Sequence, residues 1–307
     1  DRVSKLTAIL TLPDAGVRAQ AALMLSELRD PSAEAALWTA LDDPAEPVQT
    51  LVIRALAGSQ HPHRNRILTA KLNHPFASVR EIAREAISRE GFRHYLSSFS
   101  RMDTRTRTTA GQALAKLDPN LLQRLRGEME SIDPDRRLKA LQILDTLRKG
   151  GDLLKPVGEL MRDPDRKVRA TAARSLGQVG GLDALQLLVR GLTDADRRVR
   201  ANAIEALGRV GDARLGKLIL PFLKQDDTRC RANAIRVLSH FGYPEATEQL
   251  AGLLASPQEG ARLSGLWVLS QITWEGGRTW LEALAQKYPS PRVRDRSTRL
   301  LARGPLP

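Results

Sequence analysis

The chain has 307 residues, 42% of them hydrophobic but only 4% aromatic, so small aliphatic side chains must fill its interior. A single cysteine, Cys230, excludes an internal disulfide and a multi-cysteine metal site, and no run approaches the ~20 apolar residues that span a bilayer. The net charge of +13 is spread along the chain rather than gathered in a basic tail, and Arg outnumbers Lys 38 to 10. Planar pairing with carboxylate or phosphate would give that bias, and so would the coding bias of a genome.

The sequence starts at Asp1 rather than Met, and Leu6 to Leu12 is short, without a basic lead-in or a small-residue cleavage site. A processed or excised chain and a cytoplasmic location are the expectations.

Self-similarity sets the elements. DPDRKVRATAARSLGQVGG from Asp163, DADRRVRANAIEALGRVGD from Asp194 and DDTRCRANAIRVLSHFGY from Asp226 repeat one pattern. Anchoring on the residue before each Ala-rich run gives Arg18, Gln49, Arg80, Arg107, Lys139, Arg169, Arg200, Arg231, Arg262 and Arg294, mostly 31 residues apart. Ten two-helix repeats follow, near 1–30, 31–61, 62–91, 92–118, 119–150, 151–181, 182–212, 213–243, 244–275 and 276–307, in one solenoid over 1–307.

In chain order, Pro44 and Pro75 fall in the turns between paired helices, near the first turn of the second helix, where a missing N–H costs nothing; Pro134, Pro164 and Pro257 do so further on. The fourth repeat is short, with 27 residues from Arg80 to Arg107, a loss of about one helical turn. Its first helix, FRHYLSSFSRM, carries Phe92, Tyr95 and Phe99. These rings either fill the gap left by the missing turn or line a hinge or partner groove. The seventh repeat shows the pattern most fully. Leu185, Leu188, Val189 and Leu192 share one helix face, TDAD breaks and caps, and Val199, Ala203, Leu207 and Val210 share the next face before Gly211. The last two repeats hold Trp267, Trp274 and Trp280. One such pair cannot bury its apolar faces alone, so neighbours must stack around a shared core. The expected fold is all-α, a right-handed α-solenoid of about ten repeats.

The stretches Asp165 to Gly180 and Asp196 to Gly211, DRKVRATAARSLGQVG and DRRVRANAIEALGRVG, resemble HEAT repeats of the short bacterial type named after phycocyanobilin lyases. The resemblance implies an armadillo-like helical array whose second helices line a concave side. Such arrays serve as protein-binding platforms, chromophore-lyase subunits, DNA glycosylases and metal hydroxylases, so fold alone leaves the role open.

Arg18, Arg80, Arg107, Lys139, Arg169, Arg200, Arg231, Arg262 and Arg294 read as a structural ladder rather than a phosphate track. An acidic residue lies six positions earlier in several repeats: Asp43 before Gln49, Asp133 before Lys139, Asp163 before Arg169 and Asp194 before Arg200. The resemblance implies that this pair bonds within and between repeats, with the directionality of charge-assisted bonds.

If Val168, Ala172 and Leu176 face inward, Thr171, Arg174 and Gln178 face outward at helical spacing. Carried to the other repeats, this register places Arg89, Lys116, Leu141, Leu144, Arg148, Arg174, Arg209, Arg236, Trp267, Arg299 and Arg303 on the concave surface. Arg89, Lys116, Arg148, Arg209 and Arg303 share one column, which is either an anion-binding stripe or a solvated face near helix C-termini. A second basic row in the inter-helix turns, with Arg166, Arg197 and Arg292, reads as solvated and locally paired or as a binding edge.

The five histidines show no metal-ligand spacing, and no nucleophile elbow or phosphate-binding loop occurs, so no catalytic residue, metal or cofactor is assigned. Cys230 stands where neighbouring repeats have Val168 and Val199 and belongs in the core. The expected function is a non-catalytic scaffold that grips a protein partner or adjacent domain. The alternative is a nucleic-acid or polyanion binder using the Arg/Lys stripe, and after it a lyase- or glycosylase-type enzyme subunit.

Overall fold

The computed structural model describes residues 1–28, 30–59, 61–148 and 151–303. Among the described residues all regular structure is helical: nineteen α-helices with short 3₁₀ turns, and no strand. None of these helices is long and apolar enough to cross a membrane. The chain divides into two compact units, Asp1–Leu121 and Leu122–Pro307.

In the N-terminal unit the second helices Ala15–Glu27, Glu46–Leu56, Ala77–Ser98 and Thr104–Leu117 pack one on the next, and Arg2–Ile9, Pro31–Thr39 and Arg64–Ala70 form the other layer. Leu6, Ala21, Leu25, Leu37, Val48 and Val52 are buried together in one core. The expected turn at 91/92 is absent. Ala77–Ser98 is a single 22-residue helix that serves the third repeat with its first half and the fourth with its second. The segment REGFRHY has neither proline nor a capping pair to stop it. Losing one turn has thus deleted a loop, not a helix. Phe92, Tyr95 and Phe99 are buried at this place. The Tyr95 hydroxyl donates to the Arg107 carbonyl at 2.7 Å, the Tyr95 and Phe99 rings meet edge to face at 5.5 Å, and the Arg107 guanidinium lies 4.6 Å over Phe99. The rings fill the space, and burial pushes the Tyr95 hydroxyl up to about 12.

In the C-terminal unit the second helices Pro134–Leu147, Arg166–Val179, Arg197–Val210, Thr228–His240, Glu259–Leu269 and Pro291–Ala302 stack side by side in the same way. Val168, Ala172 and Leu176, then Val199, Ala203 and Leu207, are fully buried; each such Leu or Val contributes about 1.5–3 kcal/mol. Cys230 is buried with them, its thiol donating to the Arg197 carbonyl at 3.3 Å and pushed up to about 11 by burial. Close approach of the stack depends on small residues. A β-carbon on Gly177 would fall 2.5 Å from Ala206 Cβ, and one on Gly208 would fall 2.4 Å from Val237 Cγ2.

A common geometry fixes where each second helix starts. The ladder residue is the fourth residue after the N-cap, and its N–H donates to the N-cap carbonyl: Arg18 to Asp14, Arg80 to Phe76, Arg107 to Asp103, Arg169 to Asp165, Arg200 to Asp196, Arg231 to Asp227, Arg262 to Gln258 and Arg294 to Ser290. Its side chain reaches back over the turn. Nη1 of Arg18, Arg80, Arg169, Arg200 and Arg294 donates to the carbonyls five and six residues earlier, at 2.6–3.2 Å. Gln49 makes one such bond, to the Asp43 carbonyl. Arg107 and Arg262 brace the same turns through other nitrogens. Carbonyls left open by the turn are thereby satisfied by a charged donor.

One sequence expectation is corrected here and a second is made specific. In the fifth repeat the ladder residue is Arg137, not Lys139. Asp133 is the N-cap, Arg137 N–H donates to its carbonyl, and Arg137 Nη1 holds the carbonyls of Ser131 and Ile132 at 2.8 and 2.9 Å. Lys139 lies two positions further round the helix, half-buried. The acidic residue bonds both within and between repeats, through different atoms. Within a repeat, the residue six earlier contributes its backbone carbonyl, while its carboxylate turns to the arginine of the preceding repeat. Arg18 pairs with Asp43 at 2.7 and 3.0 Å, Arg137 with Asp163 at 2.6 and 2.8 Å, and Arg169 with Asp194 at 2.9 and 3.1 Å, all through two parallel bonds. The pairing with Arg18 holds the Asp43 carboxyl below its ordinary value. Where that column holds Gln225 or Ser256 instead, the preceding Arg200 and Arg231 each keep a buried Nε without a partner among the described residues.

Candidate functional site

The outer positions of the second helices form the face on which sequence reasoning placed a binding surface. In the N-terminal unit this face holds a groove of about 1040 Å³ lined by Arg54, His61, Glu81, Glu85, Arg89 and Arg93. Arg89 pairs with Glu85 at 3.0 Å, Arg93 with Glu90, and Arg64 stands 3.6 Å from Glu90. His61 packs against Trp38 at a tilt of 41°, with ring centres 4.3 Å apart. Lys116 is exposed on Thr104–Leu117.

In the C-terminal unit, Leu141 and Leu144 are not on this face. Both are buried, at 0% and 2% exposure. The two-residue shift of the fifth repeat turns them into the core and brings out Gln142 and Thr146 beside them. The same shift moves Asp145 and Arg148 into columns that later repeats fill with glycine. LDTLR at Leu144–Arg148 stands where the next two repeats have LGQVG and LGRVG. Asp145 thus occupies the column of Gly177 and Gly208, between adjacent second helices. Its Oδ2 accepts from Arg174 Nε at 3.1 Å and Nη2 at 3.0 Å. Burial raises this carboxyl above its ordinary value against the pull of Ser175 and Arg174. A groove of about 470 Å³ opens over Asp145, with Arg148, Ser175, Gln178 and Arg209 around it. Arg209 also pairs with Glu205 at 3.3 Å.

One helix further on, a groove of about 710 Å³ is walled by Trp267, Asn233, Glu205 and Arg229. The Arg236 guanidinium lies 5.9 Å from the Trp267 ring centre, half-buried, with Glu205 as its nearest countercharge. Burial lowers Arg236 below the ordinary arginine value. Arg299 is exposed and donates to the Asp295 carbonyl, and Arg303 borders a small apolar groove with Trp274, Leu281 and Leu300. Along the turn edge, Arg166, Arg197 and Arg292 stand 3.8–3.9 Å from Asp196, Asp227 and Glu259.

Asp145 escaped sequence reasoning, yet it pairs with Arg174 on this face as Glu205 pairs with Arg209. The signal was the break in the LGxxG pattern, hidden by the misplaced register. Chemically the described residues of this face offer paired charges, an aromatic platform at Trp267 and grooves in each unit. Among the described residues no group of three His, Cys, Asp or Glu side chains could hold a metal ion.

Comparison with known proteins agrees with the helix-pair geometry. The family model for HEAT repeats matches residues 3–88, 119–208, 154–227 and 216–302. No curated protein sequence matches the chain. Solved structures similar to it include an engineered protein (19% identity, 79% of this chain and 97% of that one, TM-score 0.37). The E. coli protein YibA is similar at 16% identity, over 88% of this chain and 92% of that one, with TM-score 0.40. Human deoxyhypusine hydroxylase in complex with glycerol is similar at 17% identity, over 88% and 95%, with TM-score 0.31. Likeness at this level carries nothing about activity, whereas the family match spans most of the sequence. The chain belongs to the HEAT-repeat family.

Proposed function

We propose that the chain is a non-catalytic scaffold whose second-helix face holds a protein partner or an adjacent domain. One observation carries the reading: three arginines of that face stand against local carboxylates, in Arg89–Glu85, Arg174–Asp145 and Arg209–Glu205. A surface of alternating sign with Trp267 beside a half-buried Arg236 suits the mixed polar and aromatic contacts of a protein interface. A phosphate backbone would instead meet these carboxylates, which repel it. HEAT arrays commonly mediate protein interaction, which supports the same reading.

Affinity capture from an extract of the source organism tests it. The wild type and Arg190→Ala, on a first helix, are expected to retain one protein in stoichiometric amount. The double variant Trp267→Ala/Arg236→Ala, folded by circular dichroism, is expected to retain at least about tenfold less. Equal recovery by all three, or recovery of nucleic acid alone, rejects the proposal.

A further inference from the structure

We infer that the groove lined by Asp145, Arg148 and Arg209, with Arg174 held beside it by Asp145, is an oxyanion site, taking a phosphoryl or carboxylate group presented by a bound protein segment. The inference rests on the scaffold reading and adds the chemistry its partner must carry. It starts from the helix end. The second helices of the sixth and seventh repeats finish on Gly180 and Gly211 at φ 73° and 79°, a region open to glycine. The corresponding residue in the fifth repeat is Arg148, at φ 53° and ψ 32°. Among the described residues it is the one non-glycine with positive φ. A β-carbon is disfavoured there, so glycine would be the better residue for the backbone. A cation at a helix C-terminus gains from the dipole, but other residues of the last turn supply that without strain. What Arg148 alone supplies is a guanidinium at the mouth of this groove.

The rest of the groove is arranged for the same charge. Asp145 replaces the glycine three residues earlier and fixes Arg174 through two bonds to one oxygen. Gly177, held against Ala206, sets the distance between the two helices that form the groove floor. Arg209 enters from the next repeat, and Ser175 and Gln178 add neutral polar groups. Three guanidiniums therefore gather here against two carboxylates, Asp145 on Arg174 and Glu205 on Arg209. The Arg148 side chain makes no hydrogen bond or ion pair with other described residues, so its fork is open to a planar or tetrahedral anion.

The test uses the full chain and isothermal titration at low ionic strength. The probes are inorganic phosphate, acetyl-Gly-phosphoserine-Gly-amide and acetyl-Gly-Asp-Gly-amide. At least one is expected to bind, and the two peptides distinguish a phosphoryl from a carboxylate source. Arg148→Gly is expected to weaken that binding at least tenfold while raising the melting temperature by about 2 °C, because glycine relieves the backbone. Arg190→Ala is expected to leave binding unchanged. Failure of all three probes, or equal binding by Arg148→Gly and wild type, overturns the inference. Running Arg148→Gly in the partner capture separates the two proposals. A partner retained in full by this variant leaves the scaffold standing and removes the oxyanion site, whereas loss of the partner with loss of phosphate binding supports both.

Discussion

Asp163→Ala is expected to destabilise the protein by about 3–5 kcal/mol, more than any single surface change. Asp163 is 6% exposed and takes two bonds from Arg137, while its Oδ1 also accepts the N–H of Asp165 at the turn. Without the carboxylate, Arg137 remains buried, hydrogen-bonded to the carbonyls of Ser131 and Ile132 alone, with Asp165 and Asp133 left as more distant countercharges. Most of the loss comes from that stranded cation, so adding Arg137→Met should recover part of it. Urea unfolding followed by helical ellipticity measures both, and the pair forms a double-mutant cycle with a coupling of at least about 1 kcal/mol. A loss below about 1 kcal/mol for Asp163→Ala would mean that the link between these repeats is ornamental.

Gly177→Val is expected to destabilise by about 3 kcal/mol through overpacking. Its β-carbon would lie 2.5 Å from Ala206 Cβ and 3.0 Å from Ala206 Cα, so backbone, not a flexible tip, has to move. Gly177→Ala meets the same contact but gains about 1 kcal/mol of helix propensity, and its net effect is smaller. Removing the opposing methyl as well, in Gly177→Ala/Ala206→Gly, should return stability close to wild type. Thermal unfolding of the series decides the matter. If Gly177→Val were as stable as wild type, the two second helices could not stand as close as described.

Much of this architecture was legible in the sequence. The period of 31, the helix pairs and the arginine early in each second helix follow from apolar spacing and turn residues alone. The fifth repeat was misread because Asp133-Pro134-Asp135 and Asp163-Pro164-Asp165 look identical. In the sixth repeat the second aspartate is the N-cap, bonding the N–H groups of Lys167 and Val168. In the fifth the first aspartate is the cap, and Pro134 opens the helix. Ser131, not Asp133, fills the column of Asp163: its hydroxyl accepts the Asp133 N–H as Asp163 accepts that of Asp165. Capping by either aspartate satisfies the same orphan N–H groups, so local chemistry is degenerate and packing decides. From that one slip came the exposed assignment of Leu141 and Leu144 and the concealment of Asp145 and Arg148. The merged helix Ala77–Ser98 was missed for a related reason, since a lost turn shortens the period whether it comes from a helix or from the loop between two.

The claim on which the rest depends is that each arginine owes its role to its place four residues beyond the N-cap. Exchanging the two basic residues of the fifth repeat, Arg137→Lys with Lys139→Arg, tests this without changing composition or net charge. A lysine at 137 offers a single ammonium in place of a fork to Asp163 and two carbonyls, and an arginine at 139 starts from another side of the helix. Urea unfolding is expected to show a loss of about 2 kcal/mol or more for the exchange. Stability equal to wild type would contradict the account and restore the register read from the aspartate-proline motif.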